Sequence, residues 1–415
     1  MGRSSLIMVI GFSMALMLKG FNLSNVSSDA YNNVVGYYNR AVSHNIAAGI
    51  ANMGSNVIYR VPNAFPKWTN LSFAGGTVNL WTKTIDTLGR IRLTAASNYK
   101  GCLDTVSIVW GQSNFSKFAY YSATEGSINW AGKDTIFGPF HTQDKMTVNG
   151  GTPPIANPVF MGKVTNKLGM TKNPSTTTPE FHNGYQSGID IPMPADFSPL
   201  RNAAVSGGRY IRGKDVTIAF DSLDDGYMTI KIGAAAAQRW SIKDSCVNGA
   251  LVIDSANVRI KGIFKGKLTL AVLSGGATGK GKLYLDSSVA YCRNPIDHPD
   301  PPYILGMCAE DSIVITHNSI NDNSITIQGA LFSLKSGLGA EQYDNTTFTP
   351  KTRGRINLLG GVSQKQRAAV GTLNSDGSIK TGYSKSYRYD DRLMNSSPPY
   401  FPTTGAYEIL SWYER

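Results

Sequence analysis

The chain has 415 residues, 40 of them Lys or Arg and 28 Asp or Glu, for a net charge of +12, and only 16% of it is charged. That is below the ~25% of an average soluble protein, and with 43 Gly and 20 Tyr it fits an extracytoplasmic β protein of turns and aromatic-rich strands. Four cysteines without a CxxC pair exclude a disulfide framework and a zinc site, leaving free buried thiols or one bridge between Cys292 and Cys308.

The first element is an apolar run from Leu6 to Leu18, behind Met1-Gly2-Arg3 and stopped by Lys19. At about 13 residues it is shorter than the roughly 20 of a bilayer span. The plain readings are a secretory signal peptide with Arg3 as its charged start, or an uncleaved anchor. Against cleavage, Val34, Tyr38, Val42, Ile46, Ile50, Met53 and Val57 recur at steps of three and four, one face of a helix, and the best small-x-small site, Ser28-Asp29-Ala30, lies far beyond the apolar core. One helix from Ser4 to Tyr59 spans about 84 Å at 1.5 Å per residue. Gly11, Gly20, Gly36, Gly49 and Gly54 each weaken it by roughly 1 kcal/mol against Ala, so kinks or breaks are expected.

A short Gly-ended leader, an apolar start and an amphipathic continuation resemble the N-terminal helix of type IV pilin-like proteins. The resemblance implies processing at Gly2, an apolar half that sits in the inner membrane and then in a filament core, and a second half docked on a β-rich head. The family's usual Phe-Thr-Leu-Ile-Glu start is missing, since Gly2 is followed by Arg3-Ser4-Ser5-Leu6-Ile7, and no acidic residue stands fifth after Gly2. That departure points to a minor pilin or a pilin-like protein.

Past the helix, Thr77–Trp81, Arg90–Thr94 and Thr105–Trp110 alternate apolar with polar, as strands of a small antiparallel sheet on the helix do. Pro-, Gly- and Thr-rich stretches at 149–158 and 173–179 read as loops or a linker. From Val216 to Leu358, apolar-polar-apolar triplets recur: Val216-Thr217-Ile218, Met228-Thr229-Ile230, Leu251-Val252-Ile253, Val258-Arg259-Ile260, Leu268-Thr269-Leu270, Leu283-Tyr284-Leu285, Ile313-Val314-Ile315, Ile325-Thr326-Ile327 and Ile356-Asn357-Leu358. Their irregular spacing, with Gly, Asn and Asp between, suits short strands stacked as a parallel β-solenoid; a β-sandwich is the alternative. Gly138-Pro139-Phe140-His141-Thr142, Gly360–Arg367, Gly382–Arg392 and Pro398-Pro399-Tyr400-Phe401-Pro402 resemble segments of an uncharacterised bacterial pilin-like family, which names an envelope class and no reaction. The expected fold is thus mainly β with one long N-terminal helix. Its parts are an anchor at 1–21, an amphipathic helix at 22–60, an antiparallel β region at 61–165, a linker at 166–205, a β-solenoid-like domain at 206–395 and a C-terminal strand region at 396–415.

Nothing in the chain reads as a catalytic constellation, and no cofactor or metal is expected. His141, His298 and His317 lack paired nucleophiles and suit structural hydrogen bonds. Asp221, Asp224 and Asp225 before Gly226 lack the ligand spacing of a calcium loop and read as a solvated turn. No carboxylate pair stands out from surface charge, although solenoid-type carbohydrate-active enzymes place Asp, Lys and Arg along a groove, which keeps a carbohydrate-active enzyme as a rival.

Charge is banded. Residues 201–282 hold 13 basic against six acidic residues, 283–350 two against eight, and 351–415 ten against five. Stacked bands of one sign present a basic face to an anionic polymer such as DNA or acidic polysaccharide, and aromatics among the cations suit stacking on bases or sugars. The candidate ligand residues are Arg239, Trp240, Lys261, Lys265, Lys267, Tyr387, Arg388 and Arg392. The chain reads as a non-enzymatic, pilin-like, structural or adhesive surface protein. Its expected partners are the membrane and the subunits of a pilus or secretion system; a DNA-binding minor pilin is the first rival.

Overall fold

The computed structural model describes residues 2–61, 63–86, 89–131, 134–150, 157–221, 226–299, 302–347, 351–374 and 379–414. The chain divides into two compact units, Met1–Gln112 with Gly405–Arg415, and Ser113–Thr404.

In the first unit one helix runs unbroken from Arg3 to Arg60. The glycines do not interrupt it. Around Gly11, Gly20 and Gly36 there is open space, whereas a Cβ on Gly54 would come within 2.8 Å of the Leu80 side chain, so Gly54 sits where helix and sheet approach most closely. Every residue from Gly2 to Val35 is exposed. The buried face begins at Ser43 and comprises Ser43, Ile46, Ala47, Ile50, Ala51, Gly54, Ser55 and Ile58. The apolar stripe read from the sequence is therefore corrected: Val34, Tyr38 and Met53 face solvent, and small residues take their place in the packed half because they let the helix lie close to the sheet.

That sheet is antiparallel, in the order Trp68–Phe73, Gly76–Thr84, Ile91–Tyr99, Cys102–Asn114, Thr403–Glu414. Val78, Leu80, Leu93, Ala95, Val106 and Ile108 point inward and pack with Ile46, Ile50 and Ile58, each large side chain contributing about 1.5–3 kcal/mol by leaving water. Two hydroxyls fix the register of helix on sheet: Ser43 Oγ donates to the Cys102 carbonyl at 2.8 Å, and Ser97 Oγ donates to the Ser43 carbonyl at 2.7 Å.

The second unit is stacked in parallel. Tyr120–Thr124, Phe140–Thr142, Val164–Asn166 and Tyr185–Ser187 pair in register. Trp130–Ala131, Met146–Asn149 and Met170–Asn173 form a second face, and Thr135–Ile136, Val159–Phe160 and Glu180–Phe181 a third. This three-faced stack starts inside the stretch expected to be antiparallel and occupies part of the expected linker. Strands of two to five residues are too short to display a period, which is why the sequence did not reveal it. The register columns like on like: Tyr120 stacks on Phe140 with ring centroids 5.3 Å apart, and Phe160 on Phe181 at 5.3 Å.

The larger stack holds the triplets. Val216, Val258, Leu283, Ile313 and Leu338 form one inward column, and Ile218, Ile260, Leu285 and Ile315 the next. The flanking residues of all nine triplets are buried. One of the nine is placed differently, since Met228-Thr229-Ile230 lies in an antiparallel end cap of Val216–Phe220, Tyr227–Ile232 and Gln238–Ser241. A second parallel face carries Ala250–Asp254, Lys267–Leu273, Ile304–Ala309 and the later halves of Ile325–Ser333 and Thr352–Gln366. Its outer side is also covered, by Phe197 and Leu200 and by Leu393 and Phe401, so its strands are apolar on both sides. The strands pair from coil to coil along the stack around a filled interior and do not close a barrel.

Candidate functional site

The cap end gathers the first group of candidate ligand residues. Arg239 pairs with Thr229, Thr229 with Ala219, and Ala219 with Lys261, so Arg239 and Lys261 stand in one outward row. A neighbouring row runs Lys231, Thr217, Arg259, Tyr284. Arg239 and Lys261 are three strand spacings apart, about 14 Å. The aromatics here are already faced by the protein's own arginines: Arg209 lies 4.7 Å over Trp240, Arg239 4.4 Å over Tyr227, and Arg259 5.1 Å over Tyr284. Arg239 also reaches Asp221 at 3.4 Å. Lys265 lies at the corner after Val258–Phe264, and Lys267, exposed, opens the strand on the adjoining face.

The second group lies at the other end of the stack. Gly262, Val289, Ile327, Leu358 and Tyr387 follow one another by pairing, four spacings or about 19 Å. Arg388 is exposed, while Arg392 is held as a clamp: it meets Asp390 at 2.7 Å, donates to the Tyr303 carbonyl at 3.1 Å and covers the Tyr291 ring at 5.2 Å. The two groups are not brought together. The charge bands have an internal use as well, because successive coils neutralise one another: Arg259 meets Asp286 at 2.8 Å, Lys335 meets Glu310 at 2.7 Å and Arg353 meets Asp322 at 3.4 Å.

His141 is wholly buried in the smaller stack. Its Nδ1 lies 2.8 Å from Thr165 Oγ1 and its ring stacks on Tyr121 at 5.4 Å. Burial pushes its pKa down to about 4, so the ring is neutral at pH 7. The backbone before it is tightly crossed, for Gly138 adopts a φ of 129° and a Cβ on Gly162 would sit 2.0 Å from the Gly138 carbonyl oxygen; this close crossing is what the Gly-Pro-Phe-His-Thr segment is built around. His317 Nδ1 lies 2.8 Å from Asp322. Asp224 and Asp225 lie outside the described residues. Among the described residues, no three His, Cys, Asp or Glu side chains converge. The cysteines are unbridged, with Cys308 in the core and Cys292 exposed, so the 292–308 pairing is not formed.

Sequence reasoning missed one site, the junction between the two stacks. Thr352–Gln366 pairs in parallel with Tyr120–Thr124, and there Arg367 and Glu125 form a buried ion pair at 3.3 Å. Arg367 covers the Trp130 ring at 3.9 Å, and Trp130 Nε1 donates to Glu125 at 3.1 Å. No local signal links residues 242 positions apart.

No protein-family model matches the chain, and no curated protein matches it. Among solved structures, the crystal structure of the competence-associated pilin ComZ from Thermus thermophilus is similar at 12% identity and a TM-score of 0.36, over 85% of this chain and 88% of that one. So slight a likeness decides neither fold nor function.

Proposed function

We propose that this chain is a pilin-like surface protein, a structural or adhesive part of a type IV pilus or a related secretion machine. The observation that carries the reading is the division of the N-terminal helix. Its first half is apolar, exposed and long enough to cross a membrane, while Ser43 to Ile58 are packed on an antiparallel sheet. Exposing Leu6, Ile7, Met8, Val9, Ile10 and Phe12 to water at 51–70% of their surface is unfavourable unless lipid or other subunits cover them. The subunit then resides in the inner membrane, with Gly2 as processing site, before its body faces outward. Cell fractionation tests this: the protein is expected in membranes and in sheared surface material. Recovery only as a soluble secreted form, with residues 6–18 removed, counts against it.

A second reading, binding of an anionic polymer, has one supporting observation. Arg212, Lys214, Lys231 and Lys261 are exposed around the cap and make no ion pair among the described residues. Binding of duplex DNA or an acidic polysaccharide is expected to weaken steeply with salt, and neutralising Lys261, Lys265 and Lys267 should reduce that slope. An unchanged slope removes the reading.

A further inference from the structure

The larger stack ends unevenly. On one face, Thr352–Gln366 is continued by Tyr120–Thr124. On the other the last parallel strand is Ile379–Arg388, where Lys385 stacks on Ile356 and Tyr387 on Leu358. Those columns hold Ile325 and Ile327 one coil earlier, so a lysine stands where the interior is otherwise aliphatic. Beyond it Gly371–Leu373 pairs antiparallel with the start of this strand, from Ile379 to Gly382, while at the Lys385 end the pairing among the described residues is a bridge from Arg388 to Phe137. The column is incomplete, and a cavity of about 70 Å³ is left there.

The chemistry of its lining is mixed in a specific way. Ile136, Leu338 and Val362 supply apolar wall, Tyr120 and Tyr387 supply phenols, and Arg367 and Lys385 supply cations. Arg367 is satisfied by Glu125 and by the Ile128 carbonyl at 3.4 Å, and the Tyr120 hydroxyl accepts from Gln364 at 3.0 Å. Asp134, the acid on the lining, accepts from the Ala131 amide at 3.0 Å and forms no ion pair with Lys385. Lys385 has no carboxylate partner among the described residues, and it is accessible to solvent.

We propose that this junction cavity is a binding site for a small carboxylate with an apolar body, the carboxylate on Lys385 and the body against Ile136, Leu338 and Val362. This volume is under half of the ~150 Å³ that holds benzene, which suits a short-chain acid such as propionate. The titratable groups facing Lys385 are Arg367, Asp134, Glu125, Tyr120 and Tyr387. Lys385 is exposed, yet protein crowds its ammonium, and this partial loss of hydration, followed by repulsion from Arg367, pushes its pKa down to about 8. An incoming carboxylate offsets both effects, so affinity is greatest below that pH and falls as the ammonium is lost above it.

The test is a ligand-observed NMR titration of the full chain with propionate, and with propionamide as its uncharged counterpart. Saturable propionate binding is expected at pH 7, at least about tenfold tighter than propionamide and weakening about tenfold per pH unit above 8. Lys385→Met should lose this preference while Lys385→Arg keeps it, which separates lost charge from lost fold. Equal affinity for the two probes, binding that survives Lys385→Met, or no saturable binding to the unmodified chain overturns the proposal.

Discussion

The two units bury their cores by different rules. In the first, a helix covers one face of a five-stranded antiparallel sheet, so a strand such as Gly76–Thr84 alternates between core and water; Val78 and Leu80 are buried while Trp81 is exposed. In the second, parallel coils stack and one of their faces is covered on both sides, so Leu268 to Leu273 are all buried. The first unit is therefore held mainly by strands that neighbour one another in sequence, with Thr403–Glu414 joining from the far end of the chain. The second depends on pairings between distant segments, such as Val362 with Tyr120, and on polar groups that must find partners inside.

The sharpest way to break this comparison is to unpair the junction. Glu125→Ala leaves Arg367 buried beside Trp130 without its anion, and removing one member of such a pair costs about 3–5 kcal/mol. Denaturant unfolding followed by probes in each unit should show the loss in the second unit; a loss below ~1 kcal/mol would mean that water reaches the pair.

Acid should separate the units next. His141 has a folded pKa of about 4 against ~6.5 unfolded, so below 6.5 the unfolded chain takes up a proton that the folded chain refuses. The stabilising contribution is full above pH 6.5 and is lost as pH falls towards 4, up to about 3 kcal/mol. Urea midpoints between those values should slope with pH in the native protein and slope less in His141→Asn. Equal slopes would mean that other groups carry the acid sensitivity.

Within the first unit the two halves of the helix make a smaller contrast. Gly54→Val forces a branched side chain against Leu80 and should cost about 1–3 kcal/mol. Gly20→Ala, in open space, should instead stabilise the helix by roughly 0.5–1 kcal/mol. Equal effects at the two sites would contradict the described close approach.

Much of the larger stack was legible, because every flanking residue of the nine triplets points inward and the alternation of Val258-Arg259-Ile260 survives folding. What failed to show were contacts without a local pattern. Ser43, Gly54 and Ser55 are core residues that apolarity alone passes over. The smaller stack hides in strands as short as Trp130–Ala131 and Thr135–Ile136. The candidate ligand residues were legible as a basic, aromatic composition, but only the fold could separate them: Arg239 and Lys261 share a row, whereas Arg392, four residues from Arg388, turns inward to clamp Asp390. Lys385 carried no signal of its own in the sequence; only the register, which stacks it on Ile356, singles it out.

The central claim is that the exposed apolar half of the helix is the anchor of a pilin-like subunit. The most direct measurement is the intact mass and N-terminal sequence of the protein from sheared surface material and from membranes. The account predicts a mature start just after Gly2 in the sheared fraction, with Leu6 to Leu18 retained. A start near Tyr31, with the apolar half removed, would contradict it.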